Sequence, residues 1–136
     1  MNQALRPSLT TAPHLTDPES VRILVVEDNR DTAMSLMILL AMKGYTVHTA
    51  NDGLKAVEIA AAFEPDVVFL DIGLPGIDGH EVARRIRASA GGKDVRMIAL
   101  TAWGDPENRK RSAEVGCEQH LVKPVQLTEL MHVLQH

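Results

Sequence analysis

The stretch Asp66-Val67-Val68-Phe69-Leu70-Asp71-Ile72-Gly73-Leu74-Pro75-Gly76-Ile77-Asp78-Gly79 decides the fold class. It opens on a continuous apolar run without polar alternation, the pattern of a strand buried on both faces. The run stops at a carboxylate, Asp71. Pro75 and Gly76 then hold the central positions of a turn over 74–77, as a type II turn requires. Asp78, with Glu81 three residues further on, has the spacing of a capping box that opens a helix. Buried strand, charged end, tight turn and helix start together make one strand-then-helix unit.

The same grammar repeats in both directions. Ile23-Leu24-Val25-Val26 and Met97-Ile98-Ala99-Leu100 are further unalternating apolar runs. Strands are expected over 22–26, 45–49, 66–70, 95–100 and 119–122. Between them, Ala33, Leu36, Met37 and Leu40 recur at helical spacing, as do Leu127, Leu130, Met131 and Leu134 in the last segment, each set forming an inward stripe. Gly44 closes the first helix and Asp52 precedes the second, while Asp105-Pro106 supplies an N-cap followed by proline at the first helical position of the fourth. Five such units with short connections predict an α/β fold, a doubly wound parallel sheet covered on both faces. Ligands of such sheets bind outside the carboxyl ends of the strands.

Composition narrows the class. A chain of 136 residues, 45% apolar and 24% charged, makes one ordinary globular domain. Its longest uncharged apolar stretches, such as 33–42, fall far short of the roughly 20 residues a bilayer requires, so no membrane span is expected. No basic region leads into an apolar core at the start, which argues against a secretory signal. Cys117 stands alone, excluding an internal disulfide and a multi-cysteine zinc site and fitting a reducing cytoplasm. A net charge of −4 argues against nucleic acid as a partner. Residues 1–20 hold three of the seven prolines and no apolar periodicity, so they read as a flexible leader or linker before a domain spanning 21–136.

The strand ends carry the chemistry. The first runs into Glu27-Asp28, the third into Asp71, the fourth into Thr101 and the fifth into Lys123-Pro124; only the second end reads as silent. Three carboxylates gathered by adjacent strands repel one another unless a cation neutralises them. Mg2+ suits that role, because it prefers carboxylate and carbonyl oxygens and commonly completes its shell with a phosphate oxygen. Lys123 adds a compact positive charge and Thr101 a hydroxyl, both suited to phosphoryl oxygens.

Four pieces, Val25-Val26-Glu27-Asp28-Asn29, Phe69-Leu70-Asp71-Ile72-Gly73-Leu74-Pro75-Gly76-Ile77-Asp78-Gly79, Ala99-Leu100-Thr101-Ala102 and Leu121-Val122-Lys123-Pro124, resemble the receiver domain of two-component response regulators. The resemblance runs from Val21 to the C-terminus. It implies a flavodoxin-like (βα)5 fold with strand order 2-1-3-4-5. It implies that Asp71 accepts a phosphoryl group from a phosphohistidine, and that Asp28 and the backbone carbonyl of Gly73 bind magnesium directly, with Glu27 helping through a coordinated water. Lys123 and Thr101 would engage the phosphoryl oxygens, and Lys123-Pro124 would be a cis peptide.

The implied partners are a histidine kinase or histidine phosphotransfer protein, with a downstream partner met through helix 4, strand 5 and helix 5. The implied role is that of a switch rather than an enzyme, one that takes part in its own phosphoryl transfer and dephosphorylation. His120 departs from the pattern, since it stands three residues before the lysine, where the family commonly has Tyr or Phe. Trp103, two residues after Thr101, would flank with Gly73 the path by which water reaches the acyl phosphate.

Two other readings compete. A phosphatase of the haloacid dehalogenase type also uses an aspartyl nucleophile and magnesium, but needs a second Asp where Gly73 stands. A degenerate receiver would bind partners without phosphorylation, against which Asp71, Asp28 and Lys123 all argue. With little after the fifth helix, the chain is expected to be a stand-alone regulator or a receiver from a larger protein such as a hybrid histidine kinase.

The remaining polar residues have structural readings. Asp78 and Asp105 are expected as caps, and Asp31 and Asp52 without site roles. Lys55, Arg84, Arg85, Arg87 and Lys93 are expected as solvated charges, the methionines chiefly as core or gap-filling residues, and Cys117 as a small buried hydrophobe. The histidines lack metal-ligand spacing, and none adjoins Ser or Cys in a hydrolase-like motif.

Overall fold

A computed structural model describes residues 21–89, 94–102 and 106–135. The expectations for the leader 1–20, Lys93, Trp103 and Asp105 fall outside the described residues. Along the chain lie β1 (Arg22–Val26), α1 (Arg30–Met42), β2 (Thr46–Ala50), α2 (Gly53–Phe63), β3 (Val67–Asp71), α3 (Gly79–Ala88), β4 (Arg96–Thr101), α4 (Pro106–Glu114), β5 (Cys117–Val122) and α5 (Leu127–Gln135). The strands form one sheet in the order β2-β1-β3-β4-β5, with every neighbouring pair parallel.

Period-two alternation explains why the central strands are apolar throughout. Leu24, Val26, Val68, Leu70, Met97 and Ala99 face a core completed by Ala56 and Ala60 of α2 and by Val82, Ala83 and Ile86 of α3. Ile23, Val25, Val67, Phe69, Ile98 and Leu100 face the opposite core, completed by Leu36 and Leu40 of α1 and by Leu130, Val133 and Leu134 of α5. Each Val, Leu, Ile, Phe or Met among them contributes about 1.5–3 kcal/mol on full burial, so the two cores fix the sheet and, with it, the positions of the strand ends.

Three strands are shifted one residue later than their sequence signals. Tyr45 leaves the strand and enters the core, Ala50 joins β2, and Thr101 becomes the last residue of β4. Asp71 is a strand residue, paired with Leu100, and its backbone is therefore held by the sheet. β5 starts earlier than expected, at Cys117, where the pairing to β4 shifts register between Met97 and Ile98.

The caps follow the sequence with one exception. Asp52 accepts from the Lys55 N–H at 2.8 Å, and Asp78 Oδ1 from the His80 N–H at 2.8 Å. Glu81 does not complete a capping box. It receives the guanidinium groups of Arg84 and Arg85 instead, several charge-assisted contacts in place of a single bond to one amide. Gly76, at φ 83°, supplies the left-handed residue of the predicted turn.

Two further expectations change. Arg87 is not a solvated charge: it donates to the Val95 carbonyl at 2.6 Å and the Gly116 carbonyl at 2.8 Å, tying the end of α3 to the starts of β4 and β5. Backbone carbonyls at such joints need donors, and a long forked side chain reaches two at once. The methionines divide. Met97 is buried, whereas Met34 and Met42 lie with Ile38 on the outer face of α1, Met42 at 76% exposure, because Ala33, Leu36 and Leu40 already occupy the inward stripe.

Candidate functional site

β1 and β3 are adjacent, so their carboxyl ends bring Glu27-Asp28 beside Asp71. Carboxylate oxygens of Glu27, Asp28 and Asp71 all lie within 4.8 Å of one another. Glu27 is 1% exposed and Asp71 3%, whereas Asp28 is open to solvent. From the far side of the sheet Lys123 reaches in, its Nζ 3.0 Å from Asp71 Oδ2 and 3.1 Å from Glu27 Oε1. The Lys123–Pro124 peptide is cis. The Lys123 N–H also donates to the Thr101 carbonyl at 2.7 Å, which joins the ends of β4 and β5.

The buried carboxylates are fixed individually. Asp71 Oδ1 accepts from the Gly73 N–H at 2.9 Å, so the loop after β3 folds back over its own aspartate. Glu27 Oε2 accepts from the Asn29 N–H at 3.0 Å, while Asn29 caps α1 through Thr32. Burial pushes the Glu27 carboxyl above its ordinary value, against the lowering pull of the Asn29 bond and Lys123. Burial alone would lower the Lys123 ammonium, but its hydrogen bonds to Asp71 and Glu27 outweigh that and hold it above its usual value.

α3 is pressed against the same strand end. A Cβ at Gly79 would stand 2.7 Å from Ile72 Cα and 2.9 Å from the Asp71 carbonyl oxygen, so only glycine allows the helix to start there. The Thr101 hydroxyl is buried without a hydrogen-bond partner among the described residues, and so is His120 Nε2. Burial lowers the His120 imidazole below its ordinary value, reinforced by the positive charge of Arg109 and by His80.

Other contacts carry no sequence signal. Strand 2 does contribute, since Asn51, immediately after β2, donates from Nδ2 to the Glu27 carbonyl at 3.1 Å. A lone Asn beside a cap Asp has no signal of its own, and only the adjacency of β1 and β2 reveals it. His80 is buried between two partners, Asp78 Oδ1 at 3.2 Å and Ser112 Oγ at 2.9 Å. That Asp-His-Ser arrangement has the order of a hydrolase triad, yet Ser112 is 0% exposed and no substrate carbonyl can reach it. Its effect is to join α3 to α4, together with the Arg111–Asp78 ion pair at 2.8 Å. Ser112 is the one buried residue of α4 among those described.

Three carboxylates against one ammonium leave an excess of negative charge in a largely dry pocket. An all-oxygen carboxylate set, one member open to solvent, and a nearby unpartnered hydroxyl fit a hard divalent cation carrying an additional oxyanion ligand.

A receiver domain is the class that this fold and site define, and the comparisons agree. The model of the response regulator receiver domain family matches residues 23–135, and the chain belongs to that family. It is 41% identical over 112 residues to the response regulator MprA of Mycobacterium ulcerans, an alignment covering 82% of this chain and 47% of that protein. With MprA of Mycobacterium sp. strain KMS the identity is 40% over 111 residues, again 82% of this chain and 47% of the relative. The chain thus spans about half the length of the curated relatives it matches.

Among solved structures it is similar to the receiver domain of the sensor histidine kinase PA1611 of Pseudomonas aeruginosa, which carries a magnesium ion in its active-site cleft. The TM-score is 0.77 at 36% identity, covering 85% of this chain and 94% of that one. The chemotaxis protein CheY4 of Vibrio cholerae matches with a TM-score of 0.81 at 30% identity, covering 85% and 96%. The chain is thus a signalling domain of two-component systems, and no helix among the described residues is long and apolar enough to cross a membrane.

Proposed function

We propose that this domain is a phosphorylation-dependent switch in which Asp71 accepts a phosphoryl group from a phosphohistidine. The observation that carries the reading is the position of Lys123 Nζ, shared between Asp71 and Glu27 at 3.0 and 3.1 Å beside the Asp28 carboxylate. The Asp71 carboxylate attacks phosphorus, the bond to the imidazole nitrogen of the donor breaks, and an acyl phosphate forms as the imidazole leaves. Lys123 stabilises charge on the transferring oxygens. Thr101, whose hydroxyl has no other partner among the described residues, donates to one of them.

Asp28, Asp71 and the Gly73 carbonyl would hold Mg2+, with Glu27 assisting through water. When bound, the ion neutralises the carboxylates and the equatorial oxygens of the phosphoryl group. That reading rests on the carboxylate cluster and on the magnesium present in the PA1611 receiver domain.

The donor would be a histidine kinase or a histidine phosphotransfer protein. The downstream partner would read the face formed by α4, β5 and α5. Two features support this: His120 of β5 packs near Arg109 of α4, and α4 is anchored by polar contacts rather than by an apolar stripe. A cytoplasmic site of action and a receiver spanning 21–136 after a linker 1–20 belong to the same reading; the family match over 23–135 supports the extent of the receiver. The test is transfer from a phosphorylated histidine phosphotransfer protein, followed on a phosphate-affinity gel. Transfer that requires magnesium supports the reading, and transfer that proceeds equally in excess chelator contradicts it.

A further inference from the structure

Of the three clustered carboxylates, two are held directly. Asp71 is engaged by Gly73 and Lys123, and Glu27 by Asn29 and Lys123. Among the described residues no hydrogen bond or ion pair engages the carboxylate of Asp28, and it is exposed. With no partner on its side chain, Asp28 is placed by its backbone, which sets the Cα from which the carboxylate extends. The peptide between Glu27 and Asp28 lies just beyond the end of β1, where the ladder to β2 has closed with the Glu27 N–H donating to the Ala50 carbonyl at 3.0 Å.

The opposite edge of Glu27, its carbonyl, receives Asn51 Nδ2 at 3.1 Å. A peptide unit is planar, so a carbonyl fixed in direction fixes the plane that carries the nitrogen and Cα of the next residue. Asn51 is itself held on both sides, by Ala50 in the sheet and by Asp52, which caps α2.

We propose that Asn51 is a positioning residue of the metal site: its side-chain amide clamps the Glu27–Asp28 peptide and thereby aims the otherwise unrestrained Asp28 carboxylate at the cation. The inference rests on the phosphoryl-site reading above. It assigns a role to strand end 2, so that all five strand ends serve the site.

Calorimetric titration of metal-free protein with magnesium chloride tests it in wild type, Asn51→Ala and Asn51→Gln. Groups that orient ligands from outside the coordination shell typically change metal affinity by 10–100-fold. Asn51→Ala is expected at the lower end, about tenfold weaker, because it acts through one peptide plane. Asn51→Gln retains the donor on a longer stem and is expected to return within about threefold of wild type.

Affinity in Asn51→Ala within twofold of wild type would overturn the proposal, as would equal weakening in both variants, since then the amide donor is not what matters. Failure of the wild type to bind magnesium would overturn the phosphoryl-site reading and this inference with it, whereas normal wild-type binding with an indifferent Asn51 removes the inference alone. Amide hydrogen exchange at Glu27 and Asn29, whose N–H groups donate to the Ala50 carbonyl and the Glu27 carboxylate, measured without metal, separates positioning from general destabilisation. Faster exchange confined to 27–29 in Asn51→Ala supports the clamp, and faster exchange spread through β1 and β2 contradicts it.

Discussion

Lys123 Nζ stands 3.0 Å from Asp71 Oδ2, across 52 residues of sequence and the one intervening strand, β4. The ammonium compensates two carboxylates that are almost wholly buried, and removing one partner of such a set leaves charge in a dry pocket. Lys123→Met is expected to cost about 3 kcal/mol in the metal-free protein, the low end for a buried pair because Lys123 remains partly wet. The pH dependence has a definite sign. Without Lys123, Glu27 lies still further above its ordinary value, so the penalty is present at pH 7 and shrinks as pH falls toward 4.5 and Glu27 takes up its proton. Urea denaturation at pH 7 and pH 5 checks this: a cost equal at both would contradict it.

Asp28→Ala removes one of three mutually repelling carboxylates while touching no hydrogen bond among the described residues. Metal-free stability should be unchanged or higher, and the rise in melting temperature produced by magnesium should vanish together with phosphorylation. Thermal melts with and without magnesium decide it. A mutant that keeps the wild-type magnesium shift would remove Asp28 from the site.

His120 titrates below its ordinary value, through burial first and then through Arg109 and His80. A lowered histidine contributes stability above its unfolded pKa of 6.5, and that contribution is lost as pH falls through the lower folded value. A pH series from 7.5 to 5.5 should therefore show a loss of stability that His120→Phe reduces. With magnesium and beryllofluoride, the active-state population should fall over the same range, because a charged imidazole resists burial. Populations that ignore pH, or match in His120→Phe, would take the imidazole out of the switch.

Ser112→Ala leaves His80 Nε2 buried without its 2.9 Å partner, at a cost of about 1–3 kcal/mol. Because α4 buries no other residue among those described, the effect should be local. Hydrogen exchange should quicken across 106–114 more than in β1 or β3. Uniform quickening over the whole sheet would show that the contact supports global stability instead.

The sheet was legible because apolar runs on both-face-buried strands differ from every half-exposed pattern, and the strand-end chemistry followed from that register. Asp71, Glu27, Asp28 and Lys123 do converge, as the parallel topology requires. What sequence could not show is contact made by unpatterned residues. Asn51 matters only because β2 lies beside β1. His80 and Ser112 are 32 residues apart, and their bond needs the packing of α3 against α4. Arg87 looked solvated because helical spacing places it near an exposed edge, yet its length lets the guanidinium fold back onto two carbonyls. The Glu81 capping box failed for a related reason, since two arginines within one turn outbid an amide.

The most direct measurement is intact-mass spectrometry after incubation with a small phosphodonor and magnesium. A gain of one phosphoryl group is expected in the wild type and none in Asp71→Asn. A wild type that gains no mass, or an Asp71→Asn protein that gains the same mass, would contradict it.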